Sequence, residues 1–262
     1  GAGKTTLLRI IAGIMSPTSG KVTIDNLNYK KNEIEIKRRI AFLTGNTKLY
    51  KDLSAKELLT MCGEYYQMSK KEIEEQIKYL TETFDLSSFL YQKIGSLSTG
   101  QTQRVSIARC LMHNPKYYIL DEPTSGLDII SSKVILDTIK KEKEKNKSIL
   151  YSTHYMEEAS DADYVVILDA GKISAEGTPL ELKNNYTGDY ITIYGVSEEE
   201  VRKLNHKYEK IRDAYRVSVA NTEEARDLIV NNQELFKDFE ITKGKMDDVF
   251  LSVTGKKLVG GN

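Results

Sequence analysis

Apolar residues recur at Leu7, Leu8, Ile10, Ile11, Ile14 and Met15, a spacing that predicts a helix close behind the first residues of the chain. Gly13 and Pro17 mark its expected end. Ser19-Gly20 then signals a turn, and the alternation over residues 21–24 reads as a half-buried strand, followed by a short strand at 40–44. From residue 55 to about residue 90 the period is helical. Leu58, Leu59 and Cys62 form one stripe, Ile73, Ile77 and Leu80 another, with a start signal at Ser69 and Glu72 between them. The runs 117–120, 148–151 and 164–168 are short, apolar and rich in β-branched and aromatic residues, as expected of strands buried in a mostly parallel sheet. A helix from residue 129 to about residue 147 separates the first two, and its nearly all-charged end, 140–147, reads as a solvated face rather than a nucleic-acid contact. Beyond Gly188, residues 190–193, 215–219 and 239–242 alternate as strands, with helical patterns after Val196, Asn221 and Lys245. The whole predicts an α/β chain with a helical insertion and a small separate α/β unit at its end.

Composition narrows the function classes. The 262 residues carry 38 Lys and Arg against 38 Asp and Glu, so no bulk charge draws the chain to nucleic acid or acidic membranes. The longest apolar stretch, residues 7–15, contains Arg9 and falls far short of the about 20 residues that a membrane-spanning helix needs. Cys62 and Cys110 are too sparse for a disulfide framework or a zinc ribbon and fit a reducing, cytosolic setting as small packed apolar residues. With three histidines scattered along the chain, a transition-metal site has no ligand cluster, and His113 and His206 are expected to be packed or hydrogen-bonded.

The chemistry begins at the first residue. Gly1-Ala2-Gly3-Lys4-Thr5 supplies the last five positions of the phosphate-binding pattern G-x-x-x-x-G-K-[ST], so the chain is expected to be cut inside that motif. Gly3 lets backbone N–H groups approach phosphate, Lys4 brings a point charge to the β- and γ-phosphates, and Thr5 offers a hydroxyl to Mg²⁺ at a helix N-terminus that favours anions. The short string G-K-T also arises by chance. Asp121-Glu122 ends a buried strand, where one carboxylate can hold a Mg²⁺ shell and the other polarise a water, although a loop or helix cap also explains such a pair. Around it lie Leu97-Ser-Thr-Gly-Gln101-Thr-Gln-Arg104 leading into a helix, Ser125-Gly-Leu-Asp128, and Ser152-Thr-His154 after a strand. This ordered set resembles the ATP-binding-cassette (ABC) ATPase family, over residues 1 to about 185.

The resemblance implies a P-loop NTPase (ABC ATPase) core over residues 1–185, with a helical subdomain at about 46–114 and a small C-terminal α/β extension at 186–262. It implies that Gly1, Ala2, Gly3, Lys4, Thr5 and Thr6 hold the phosphates of ATP, that Thr5 and Asp121 bind Mg²⁺, and that Glu122 and His154 are catalytic, Glu122 toward the attacking water and His154 toward the γ-phosphate. Two cassettes of this family meet head to tail. Ser98, Thr99, Gly100 and Gln101 would then serve the ATP held by the partner's loop, with Asp128 bridging the halves. The closing run, Met246-Asp-Asp-Val-Phe-Leu-Ser-Val-Thr-Gly255, resembles that of cassettes serving type-2 ABC exporters for sodium, drugs and glycoconjugates, while packing of an amphipathic helix alone accounts for its apolar positions.

The two resemblances together imply an ATPase subunit at the cytoplasmic face of the membrane. It is expected to dock peripherally on transmembrane permease subunits through its helical insertion, to pair with a second ABC ATPase subunit as a homodimer, and to have no nucleic-acid partner. Three departures from the family pattern bear on this. Thr99 stands where most members carry Gly, and Gly45 stands where many carry a glutamine that senses Mg²⁺, with Asn46 one position later as another source of an amide. The opening strands and the aromatic residue on which adenine stacks precede Gly1 in the family, so a chain that starts at Gly1 is expected to bind ATP poorly. Two competing readings are a non-hydrolysing nucleotide-binding module, suggested by Gly45 and the broken phosphate loop but opposed by the intact Asp121, Glu122 and His154, and a DNA-maintenance ATPase. The latter requires a long coiled coil, and no sustained heptads occur between Tyr50 and Leu97.

Overall fold

The computed structural model describes residues 1–45 and 48–255. The chain divides into two compact units, Gly3–His154 and the residues from Tyr155 onward.

In the first unit, α1 (Lys4–Ile11) starts at Gly3, whose φ of 97° lies in the left-handed region that glycine enters without penalty. The helix stops sooner than its periodicity predicts, capped at Ala12, and Ile14 and Met15 are exposed rather than core. A tight hairpin, β1 (Thr23–Ile24) and β2 (Leu27–Asn28), turns through Asp25 and Asn26, both with positive φ. Next comes α2 (Tyr29–Arg39), which the apolar pattern does not announce because Ile36 is its single fully buried side chain. β3 (Ile40–Leu43) leads to the helical region, α3 (Ala55–Tyr65), α4 (Lys70–Thr83) and α5 (Thr99–Cys110). Each of these three helices begins with a reciprocal cap, Ser54 with Glu57, Ser69 with Glu72 and Ser98 with Gln101, so the side chains themselves fix the helix starts. β4 (Tyr117–Asp121), α6 (Ile129–Glu144) and β5 (Ser148–Ser152) complete the unit.

β3, β4 and β5 form a parallel sheet in that order, with Leu43 opposite Leu120 and Asp121 opposite Ser152. Parallel pairing with this register brings the three carboxyl ends to one edge. β3 and β4 are buried, as their apolar runs predict, whereas β5 is open at Leu150, 45% exposed, where its run predicts burial. Leu43 and Leu120 join the helical core of Leu58, Leu59, Leu80 and Phe84, while Ile119 on the opposite face meets Leu8 and Ala12 of α1. The charged run 140–147 is solvent-facing as expected except at one position. Glu142, inside the supposedly solvated charged run, has only 3% of its side chain exposed. Tyr118 donates to its Oε2 at 2.6 Å, and Tyr79 and Lys145 donate to its Oε1, so a buried carboxylate with three donors replaces the expected water-facing charge.

In the second unit, α7 (Met156–Ser160) precedes an antiparallel hairpin, β6 (Val165–Asp169) and β7 (Lys172–Gly177), then α8 (Pro179–Tyr186). The apolar run at 164–168 is therefore not a member of the parallel sheet. Ala170 and Gly171 both take positive φ, the geometry of a tight two-residue hairpin turn, and Val166 faces outward. The remainder runs β8 (Asp189–Tyr194), α9 (Glu198–Arg202), β9 (Tyr208–Ile211), β10 (Ala214–Val219), α10 (Thr222–Asn231), β11 (Phe239–Lys243) and α11 (Met246–Thr254). Its four strands pair antiparallel in the order β11-β8-β10-β9, the ferredoxin-like split βαβ arrangement. Ile191, Ile193, Val217 and Val219 meet Val201 and Ala225 in its core. Met246 and Val249 of α11 instead join Ala159, Ile167 and Leu182 in a separate cluster.

Candidate functional site at the carboxyl edge of the sheet

The carboxyl ends of β4 and β5 carry the acidic pair and the histidine. Asp121 is 5% exposed, and the Ser152 hydroxyl donates to its Oδ1 at 2.6 Å. The same hydroxyl accepts from the Glu122 N–H at 3.0 Å, and the Ser152 carbonyl accepts from that N–H at 3.2 Å. Glu122 has φ 48°, a left-handed conformation that an L side chain adopts at a cost of about 1–3 kcal/mol. Its Oε1 lies 3.6 Å from His154 Nδ1, with 34% of the Glu122 and 46% of the His154 side chain open to solvent. Solvent can therefore reach a carboxylate and an imidazole side by side, just beyond a buried acid.

Lys4 and Thr5 open α1, half-buried, while Thr6 is exposed. The first N–H groups of a helix have no carbonyl partner within it, so with the Lys4 charge this end suits an anion. α1 reaches β4 through Leu8, Ala12 and Ile119. At the end of β3, Gly45 lies beside β4: a Cβ there would stand 3.5 Å from the Asp121 carbonyl, an ordinary contact. The backbone would accept a larger residue, so Gly45 is not required by packing. Asn46 lies outside the described residues.

A second cluster forms at the start of α5. Ser98 Oγ accepts from the Gln101 N–H at 3.2 Å and Gln101 Oε1 accepts from the Ser98 N–H at 2.9 Å. Thr99 is exposed, and Gly100 is buried against α6, where an added Cβ would meet Ser131 Oγ at 2.4 Å. Ser131 in turn donates its hydroxyl to Asp128 Oδ2 at 2.7 Å and its N–H to Oδ1 at 2.9 Å. These two hydrogen bonds hold the Asp128 carboxyl below the usual carboxylate range. The structure thus joins Ser98 with Gln101, and Gly100 with Asp128 through Ser131. The sequence pattern names Ser152 only as a neighbour of His154 and does not single out Ser131. The D-x-x-S spacing at Asp128 and Ser131 is a legible helix cap, whereas the Ser152 bond to Asp121 depends on strand register, which no local pattern carries.

The sequence profile described as ABC transporter matches residues 1–125. The ABC transporter ATP-binding protein NatA of Bacillus subtilis (strain 168) is 39% identical over 179 residues, which cover 68% of this chain and 73% of NatA. This chain belongs to the ABC transporter ATP-binding proteins. The Nod factor export ATP-binding protein I of Cupriavidus pinatubonensis is 29% identical over 98% of this chain and 81% of its own. A dimeric, post-hydrolysis structure of an ATP-binding cassette bound to ADP and Pi superimposes with a TM-score of 0.61 at 30% identity, over 68% of this chain and 81% of that one. The α/β core with its helical region is an ABC ATPase fold, and the chain is an ATP-binding, ATP-hydrolysing transporter subunit. Its donor set fits nucleotide with a divalent ion: a buried carboxylate steadied by a neutral hydroxyl, and a half-buried threonine and lysine at a helix start.

Proposed function

We propose that this chain energises an exporter by closing, with a second copy of itself, around ATP. The observation that carries the proposal is the pairing of Glu122 with His154 beside the Ser152-bonded Asp121, all at one sheet edge. Gly1 to Thr6 hold the phosphates, Thr5 and Asp121 bind Mg²⁺, Glu122 orients or deprotonates the attacking water, and His154 contacts the γ-phosphate. Ser98, Thr99, Gly100 and Gln101 engage nucleotide held by the partner copy. Asp128 bridges the two halves, and the exposed Ile129 and Ile130 beside it favour burial against a second protein surface. The cassette is taken as residues 1–185 and the extension as 186–262.

Export is supported by the likeness to the Nod factor export proteins, one of which aligns over nearly the whole chain. Among the described residues no helix is long and apolar enough to cross a membrane, which supports peripheral docking on a separate permease at the cytoplasmic face. In the full-length protein, Glu122→Gln is expected to keep ATP binding and ATP-dependent dimerisation while losing turnover by about 10²–10⁴-fold, the usual worth of acid–base help. Near-normal turnover by that variant would remove Glu122 from the role. Reconstitution with the permease in vesicles tests direction: export predicts substrate moving away from the ATP-bearing side.

A further inference from the structure

The loop from Glu122 to Asp128 is held at both ends by the start of α5. At its far end, Gly100 packs directly on Ser131, which clamps Asp128. At its near end, Gln103 Nε2 donates to the Pro123 carbonyl at 2.8 Å. The turn chemistry explains why that carbonyl is available. Ser125 N–H closes a turn on the Glu122 carbonyl at 3.2 Å with Pro123 in the second position, where its fixed φ suits the bend, and the carbonyl of that position points out of the turn. Glu122 is therefore fixed on its amino side by Ser152 and on its carboxyl side by Gln103. A left-handed residue between two anchors keeps its conformation only while both hold.

We propose that Gln103 is a positioning residue that couples the Ser98–Gln101 helix start to Glu122, so that nucleotide engaged at that start sets the carboxylate of this chain's own site. The inference rests on the proposed roles of Ser98 and Glu122. Gln103 stands in the second turn of a helix whose first turn is tied internally by its reciprocal cap, so displacement of the helix start carries the Gln103 amide with it. Pulling that amide shifts the peptide next to Glu122. The two sites of a head-to-tail pair then fire together rather than independently, because each helix start reports on one nucleotide while its Gln103 adjusts the carboxylate facing the other.

The test uses the full-length protein. Gln103→Leu removes the donor at similar volume, and Gln103→Glu places an acceptor against the carbonyl at equal size. Both are expected to lower kcat about tenfold with KM for ATP nearly unchanged, the signature of an interaction felt in the transition state, and to flatten a sigmoidal ATP dependence toward a Hill coefficient of about 1. Gln103→Lys, which can donate to the same carbonyl, should recover most of the loss. In the Glu122→Gln background, ATP-dependent dimerisation should be the same with and without Gln103→Glu. Unchanged kinetics in Gln103→Glu would overturn the coupling, as would a kcat loss matched by lost dimerisation and not recovered by Gln103→Lys. Undiminished turnover by Glu122→Gln would instead overturn the role of Glu122 on which the inference stands.

Discussion

At Gly100 a single hydrogen is the only side chain that fits. Gly100→Ala would drive a methyl into Ser131 Oγ and Cβ, displacing the group that clamps Asp128. We expect a stability loss of about 1–3 kcal/mol, the usual cost of overpacking, read as a lowered midpoint in thermal unfolding, with turnover falling further than stability alone explains. Two serines with the same local geometry should behave differently. Ser69→Ala removes a cap worth about 1 kcal/mol and should leave turnover per folded molecule intact, whereas Ser98→Ala removes the same cap and should also abolish ATP-dependent pairing. Asp25 gives a pH signature. The Tyr117 hydroxyl, then Lys116 and Arg39, hold its carboxyl down from 3.8 to about 2. A depressed acid stabilises the fold above its unfolded value and loses that contribution as pH falls through the folded value. The melting-point gap between the unmodified protein and Asp25→Asn should therefore be full above about pH 4 and close toward pH 2.

At the scale of elements, Glu142 joins three of them: Tyr79 on α4, Tyr118 on β4 and its own helix α6. Tyr118→Phe leaves Glu142 Oε2 without its buried donor and should cost about 1–3 kcal/mol in denaturant unfolding. A cost near zero would mean that water or another donor replaces the hydroxyl. This network also marks where the sequence was opaque. Charge runs announce solvation, and the distant tyrosines that reverse that reading at Glu142 reach it only through tertiary packing. β3, β4 and β5 were legible as strands from their apolar runs, although the run at β5 overstated its burial, since Leu150 is exposed. The strand β6 was misplaced because a short apolar run does not reveal whether its partner is parallel or antiparallel. In the candidate site, Asp121, Glu122 and His154 were legible as strand-end residues, while Gln103, acting on a carbonyl twenty positions away, has no local pattern to betray it.

For the whole molecule, the proposed arrangement divides each catalytic site between two copies, so specific ATPase activity should rise with protein concentration until pairing saturates. Activity per molecule that is flat upon dilution well below the pairing midpoint would argue for a site complete within one chain. The reciprocal cap at Ser98 bears on how such a pair comes apart. In the unpaired chain Ser98 Oγ accepts from the Gln101 backbone N–H and Gln101 Oε1 accepts from the Ser98 N–H, so the cap uses the two side-chain oxygens as acceptors and not the hydroxyl proton or the Nε2 hydrogens. An arriving phosphate group only accepts, so it can take the Ser98 hydroxyl proton and the Gln101 Nε2 hydrogens while both cap bonds stay closed. When the phosphate leaves, the helix start is still capped and has nothing to rebuild. A grip whose frame outlasts each release suits an engine that runs in cycles, which depends on letting go as much as on capture.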